Sequence, residues 1–130
     1  MPSSLHATDL GSLLDHLDSF KGVAASSPFD ETSLVYKVMG KMFTIVSLDS
    51  FEQGDPRMNL KCDPDRAVQL REEYEEWILP GYHMSKKHWN TLRLVPGGIP
   101  MPLIGELIQH SYDLVVAGLT KKLQAELHSL

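Results

Sequence analysis

One segment of the chain concentrates side chains that can contact anionic groups. Residues 77–105 contain Lys86, Lys87 and Arg93 and no Asp or Glu, although the whole chain has a formal net charge of −5. Lysine and arginine neutralise phosphate groups, and histidines can add hydrogen bonds to them. This segment therefore predicts a local positive surface on an acidic protein, because salt screens distant charges beyond about 8–10 Å.

Further residues can extend this surface. An asparagine such as Asn90 can pair with the edge of a base if the segment enters a groove of a duplex. Lysines of other predicted strands can join the patch. The candidate nucleic-acid contacts are therefore Lys37, Lys41, Lys61, His83, Lys86, Lys87, His88, Asn90 and Arg93.

The same residues also have a purely structural explanation. Trp89 can be a core residue, Asn90 and Thr91 can hold a turn in place, and Lys86 and Lys87 can simply face water. Aromatic side chains in the strands can stack on bases where they are exposed, although strand aromatics usually belong to the core. The aromatics in question are Tyr36, Phe43, Tyr82 and Trp89.

No catalytic signature accompanies these residues. Cys62 stands beside Lys61 and ahead of a predicted helix, an environment that can activate a thiol. However, Cys62 alternates with Met58 and Leu60, and this pattern favours a small buried side chain. The chain has no nucleophile elbow, phosphate-binding glycine loop or dinucleotide motif. We therefore expect a protein that is not an enzyme and needs no cofactor.

Length and composition limit the class of protein. The 130 residues, of which 42% are hydrophobic and 22% charged, predict one globular domain over residues 1–130. A single cysteine excludes an intrachain disulfide, and we find no secretory signal and no apolar run long enough for a membrane span. We expect a cytoplasmic monomer.

The first half of the chain predicts a helix followed by three strands. Leucines at helical spacing predict a helix from Leu10 to Phe20, with Thr8 as its N-cap and Gly22 as its C′ residue. Residues 23–33 are predicted to be a loop. Residues 34–39 and 42–48 predict a β-hairpin around the turn Gly40-Lys41, and residues 57–62 a third strand after a turn at 50–56.

The second half predicts a helix, two strands and two further helices. Asp63 caps a helix that runs to about Glu75, and residues 78–84 and 88–95 predict two strands. Pro100 or Pro102 opens a long helix that ends at Gly118, and Thr120 caps the last helix. Helices separated from an antiparallel sheet of about five strands define an α+β domain.

Residues 80–91 form a distinctive block with the sequence PGYHMSKKHWNT, and its core is the run His88-Trp89-Asn90-Thr91. Further blocks are found at residues 27–29, 36–43, 60–64 and 111–119. In this order the blocks resemble those of the MmcQ/YjbR family of small bacterial proteins, and residues 80–91 are the most specific. The resemblance implies a CyaY/frataxin-like fold, with helices on one face of the sheet. It also implies DNA binding, with the β-hairpins as wings.

A frataxin-like fold also raises the question of metal binding. The acidic residues of the two predicted helices could form a ridge that binds iron weakly: Asp15, Asp18, Glu72, Glu73, Glu75 and Glu76. An exposed acidic face is far more common than a metal site, and His83 and His88 do not have a recognised ligand spacing. We therefore expect no bound metal.

The sequence thus predicts a non-enzymatic protein that contacts DNA through a basic β-hairpin surface. The alternative is a binding module that uses the same surface for a small anionic ligand or a protein partner. A metal binder that uses the acidic ridge is the third possibility. No membrane contact is expected.

Overall fold

An antiparallel sheet is the centre of the fold. The computed structural model describes residues 5–28, 30–82 and 84–130. Within these ranges the strands are β1 (Val23–Ser26), β2 (Ser33–Val38), β3 (Lys41–Ser47), β4 (Arg57–Lys61), β5 (Ile78–Pro80) and β6 (Trp89–Arg93). They pair in the order β1-β2-β3-β4-β6-β5, and every neighbouring pair is antiparallel.

Helices cover one face of this sheet. They are α1 (Leu10–Asp18), α2 (Leu48–Glu52), α3 (Pro64–Glu73), α4 (Met101–Ala117) and α5 (Lys121–His128). Helix α4 packs against β2, β3 and β4, and α3 packs against β5 and β6. The α+β architecture predicted from the sequence is confirmed.

The strand register separates the two faces of the sheet. Leu34, Val46, Met58, Leu92 and Ile78 are partners across β2, β3, β4, β6 and β5. All five belong to the hydrophobic core or pack against it, so this face meets the helices. Because side chains alternate along a strand, their sequence neighbours point to the opposite side. We call that side the outer face; it includes Lys37, Ile45, Arg57, Asn59, Lys61, Trp89, Thr91 and Arg93.

The predicted hairpin is present, but its turn is shifted by one residue. Met39 and Gly40 have φ values of 49° and 85°, and Val38 pairs with Lys41. Two residues with positive φ form a turn whose twist matches that of the flanking strands. The Met39 N–H donates to the Gly22 carbonyl at 3.1 Å, which holds the turn against the segment that enters β1.

A buried hydroxyl connects α4 to the sheet beside an irregularity in β3. The β2–β3 register shifts after Tyr36, which leaves Phe43 without a strand partner. Ser111 is fully buried; its Oγ donates to the Phe43 carbonyl at 2.6 Å and accepts from the Lys61 N–H at 2.9 Å. The serine thereby satisfies two backbone groups at the point where the β3–β4 ladder ends.

Two predicted helix caps are confirmed and two were wrong. The Asp63 carboxylate accepts from the Arg66 N–H, and the Thr120 hydroxyl accepts from the Leu123 N–H. At the first helix the cap is Asp9 instead of Thr8, because the Asp9 carboxylate reaches the Ser12 N–H at 2.9 Å. Gly22 has a left-handed φ of 75°, but the helix ends earlier, with Ser19 as its C-cap.

Other element boundaries also differ from the prediction. The segment predicted as a loop contains β1, a largely exposed edge strand of small residues whose burial gives no alternating pattern. The sheet therefore has a sixth strand in the described part of the chain. The turn predicted at 50–56 is shorter than expected, because the short helix α2 extends to Glu52. Strand β5 ends at Pro80 and α3 at Glu73, both earlier than predicted.

The predicted core residues are buried. Trp89 is 8% exposed, and Met58, Leu60 and Cys62 lie on one buried side, as their alternation indicated. In the described residues, no helix combines the length and the apolar character that crossing a membrane requires.

Replacing the buried hydroxyl tests its structural role. Ser111→Ala leaves the Lys61 N–H and the Phe43 carbonyl without this partner, so we expect a loss of about 1–3 kcal/mol in the free energy of unfolding. Urea unfolding monitored by Trp fluorescence measures this loss. Ser26→Ala, on the exposed edge strand, is the control and should change stability by less than about 0.5 kcal/mol. Equal stability of the two variants would contradict the bridging role.

Candidate functional site

Charge is divided between the sheet and the helices. The strands contain Lys37, Lys41, Arg57, Lys61 and Arg93 and no Asp or Glu, whereas the helices carry more acidic than basic side chains. The outer face of the sheet is therefore positive, although the protein is acidic overall.

The strand topology brings several cations to one end of the sheet. Since neighbouring strands are antiparallel, the ends of β2 and β4 lie beside the starts of β3 and β6. Lys61 pairs with Trp89, and Lys37 lies on β2, two strands away from Lys61. At about 4.8 Å per strand, the backbones of Lys37 and Lys61 are roughly 10 Å apart on the outer face. Lys41 follows directly after the hairpin turn.

Backbone hydrogen bonds position the loop that leads into β6. The Cys62 N–H donates to the His88 carbonyl at 2.8 Å, which joins this loop to the end of β4. From α3, the Arg71 guanidinium donates to the Lys86 carbonyl at 2.8 Å and to the Asn90 amide oxygen at 3.0 Å. Lys86, Lys87 and His88 are exposed on this anchored loop.

We call this region the basic end. It unites six of the nine predicted contacts: Lys37, Lys41, Lys61, Lys86, Lys87 and His88. His83 lies outside the described residues. The structure does not place the other two predicted residues at this surface.

Asn90 and Arg93 have structural contacts instead. Asn90 is 1% exposed and donates to the Ala67 carbonyl as well as accepting from Arg71, so it cannot reach a base edge without moving. Arg93 lies at the opposite end of β6. The Arg93 side chain points to the outer face, as expected for a strand cation. However, Arg93 lies at the far end of β6 from Trp89, and therefore away from the basic end.

An arginine pair occupies the end of the outer face where Arg93 lies. Arg57 and Arg93 are direct cross-strand partners, and both bind the Asp55 carboxylate, at 2.6 Å and 3.1 Å. Arg93 also donates to the Glu76 carbonyl and stacks over the Trp77 ring, 5.3 Å from its centroid. Asp55 thus compensates part of the positive charge here, which leaves the lysines of the basic end as the more available cations.

Sequence analysis missed the roles of two arginines, Arg57 and Arg71, in this arrangement. Arg57 alternates with Asn59 and Lys61, and this period of two could have placed it on the outer face. The role of Arg71 had no sequence signal, because a contact between α3 and the loop before β6 depends on how the helix packs.

Acidic residues near the basic end are engaged on the helix side. The Asp63 carboxylate caps α3, and Glu106 forms an ion pair with Arg66 at 2.5 Å. The hydrogen bond from Arg66 holds the pKa of Glu106 below its usual value. These carboxylates belong to the α3–α4 layer, whereas Lys37 and Lys61 point to the outer face.

Other candidate chemistries receive no support from the geometry. Burial raises the pKa of the Cys62 thiol to about 11, so the thiolate is scarce at neutral pH. Glu72, Glu73, Glu75 and Glu76 line a cleft of about 450 Å³ with Trp77 and Gly98. Among residues 5–28, 30–82 and 84–130, no three His, Cys, Asp or Glu residues form a group that could hold a metal ion.

Comparison with known proteins identifies the family. The model of the YjbR family matches residues 18–114. The chain belongs to the YjbR family. It is 42% identical over 96 residues to the uncharacterized protein YbdF of Escherichia coli O157:H7, which covers 73% of this chain and 74% of that protein. It is 28% identical over 107 residues to the uncharacterized protein YjbR of Escherichia coli K12, covering 82% and 86%.

Solved structures agree with this assignment. The crystal structure of the Deinococcus radiodurans protein DR2400, described as a DUF419 domain, matches with a TM-score of 0.85 and 34% identity. The match covers 98% of this chain and 92% of that one. A Pseudomonas syringae protein matches with a TM-score of 0.63 and 19% identity over 82% of this chain and 97% of its own, which shows the fold alone. None of these relatives is described with an activity.

The pair of arginines predicts a specific pH dependence. The hydrogen bond from Arg57, with a further one from Arg93, holds the pKa of Asp55 below its usual 3.8. The Asp55 carboxylate therefore stabilises the fold above pH about 4, and this contribution disappears as the pH falls through the lowered pKa. Two partly exposed ion pairs amount to about 0.5–2 kcal/mol, so Asp55→Asn should lose that much at pH 7.

The pH series provides the control for this prediction. The difference in unfolding free energy between the wild-type protein and Asp55→Asn should shrink as the pH falls below about 4 and through the lowered pKa of Asp55. Glu52→Gln, which changes an exposed carboxylate of α2, should show a small difference throughout. A difference for Asp55→Asn that does not depend on pH would contradict the ion-pair explanation.

Proposed function

We propose that this protein binds nucleic acid through the basic end of its sheet. The observation that carries the proposal is the meeting of Lys37, Lys41 and Lys61 with the anchored loop that bears Lys86 and Lys87. These lysines come from four separate segments of the chain, and the strands that carry three of them contain no acidic residue. Spaced cations on one surface are what contact with successive phosphates requires.

The net charge of −5 is compatible with this proposal. Counter-ions screen charges at physiological salt over about 8 Å, so a phosphate at the basic end interacts mainly with the nearest side chains. The acidic residues of the helices lie on the other side of the sheet. These acidic residues repel phosphates from the helical side of the molecule, so contact with nucleic acid is restricted to the outer face.

A charge reversal with a matched control tests the proposal. Lys86→Glu with Lys87→Glu should weaken binding of a fluorescent oligonucleotide by at least about tenfold at low salt, because two phosphate contacts become repulsive. Lys121→Glu with Lys122→Glu changes the net charge equally but on helix α5, and should leave the affinity nearly unchanged. Fluorescence anisotropy measures both variants, and circular dichroism establishes that both are folded.

The salt dependence separates nucleic acid from a small anion. Contact with three to five phosphates predicts that log affinity falls with log salt at about −0.7 to −0.9 per phosphate, a slope of roughly −2 to −4.5. A shallow slope with saturable binding of a small anion would favour the alternative ligand. Equal affinities of the two double variants for the oligonucleotide would contradict the proposed interface.

A further inference from the structure

An exposed aromatic ring stands beside the basic end. Tyr82 is 70% exposed, whereas the other strand-associated aromatics that could stack on bases, Tyr36, Phe43 and Trp89, are at most 8% exposed. A ring that is 70% exposed gains only part of the free energy that full burial would give. Lys86 and Lys87, which are also exposed, follow in the same loop.

The backbone that carries this ring is fixed on the outer face. The Tyr82 N–H donates to the Thr91 hydroxyl at 3.0 Å, and the Tyr82 carbonyl accepts from the Asn59 amide at 3.4 Å. Thr91 in turn donates to the Asn59 amide oxygen at 2.5 Å. These two side chains are direct partners on β4 and β6, so the ring is attached to the sheet itself and not to a free loop.

The residue before the ring is equally constrained. The Gly81 N–H donates to the Trp89 carbonyl at 2.9 Å. A Cβ atom added at Gly81 would lie 2.7 Å from the Trp89 Cβ and 2.9 Å from its carbonyl oxygen, so only glycine fits. This close contact sets the direction in which the chain leaves β5.

The register of β4 places Lys61 near the point where Tyr82 is attached to the sheet. Asn59 and Lys61 lie two residues apart on the same side of β4, which is about 7 Å along the strand. Lys61 is therefore close to the anchor of Tyr82. Nucleic-acid sites that hold single strands combine a row of cations for the phosphates with aromatic rings on which bases stack. In a duplex, base faces are already stacked on one another and cannot meet such a ring.

We propose that the basic end takes single-stranded nucleic acid, with Tyr82 as the platform on which one unpaired base stacks. This inference rests on the proposed function and adds the class of ligand. Lys61, Lys86 and Lys87 contact the phosphates on either side of that base. The stacking does not select among bases, because every base presents a π-face.

Three fluorescent probes of equal length test this inference by anisotropy. They are an oligothymidylate of about twelve nucleotides, the same backbone with abasic sites, and a duplex of about the same length. The wild-type protein should bind the oligothymidylate most tightly. Tyr82→Ala should weaken that binding by about five- to a hundredfold and should leave the affinity for the abasic strand unchanged. Tyr82→Phe, which keeps the ring, should bind like the wild-type protein.

The lysine variants make the possible failures distinguishable. One possible result is that Tyr82→Ala binds the oligothymidylate as tightly as the wild-type protein, whereas Lys86→Glu with Lys87→Glu binds it more weakly. In that case the stacking inference is wrong and the proposed function stands. Equal binding of duplex and single strand by the wild-type protein also overturns the inference. If none of the three probes binds at low salt, both proposals fail. Tyr82→Leu, an apolar variant without a π-face, replaces Tyr82→Ala should the latter lower the melting temperature by more than a few degrees.

Discussion

The Ser111 hydroxyl is the contact on which the geometry of the basic end depends. It joins the carbonyl of Phe43 in β3 to the N–H of Lys61 in β4, at the point where the ladder between these strands ends. A fully buried backbone group without a partner is costly, so α4 must place a small polar side chain at this position. The serine thereby fixes both the helix on the sheet and the direction in which β4 delivers Lys61.

The two-layer architecture separates the strand cations from most of the carboxylates, and this separation makes the outer face locally positive. Alternation along each strand sends apolar side chains toward α3 and α4 and polar ones outward. Lys37, Arg57, Lys61 and Arg93 therefore appear together on the outer face, while most carboxylates are carried by helices behind the sheet. The helices lie on the opposite side of the sheet, and salt screens charges over about 8 Å, so the two charge groups act largely independently.

The arginines and the lysines of this protein make different kinds of contact. Arg57 and Arg93 share the Asp55 carboxylate, and Arg71 bridges α3 to the loop before β6. The planar guanidinium can make several directed hydrogen bonds at once, which suits it to such structural bridges. The lysines of the basic end carry a compact charge on a flexible stem and retain the freedom to meet a ligand.

The sequence by itself determined the α+β class, the meander from β2 to β4, the Asp63 cap and the burial of Met58, Leu60, Cys62 and Trp89. These features depend on local periodicity and capping, which neighbouring residues specify. Only the tertiary structure decided that Lys37, Lys61 and the loop of Lys86 lie toward one end of the sheet while Arg93 lies at the other. It also decided that Asn90 is buried against Ala67 and Arg71, and that Tyr82 is exposed. Strand register and helix packing join residues that are distant in the chain, and no local pattern encodes those contacts. Strand β1 was predicted to be a loop for the same reason. Val23–Ser26 forms a strand because it pairs with β2, and not because of its own residue preferences.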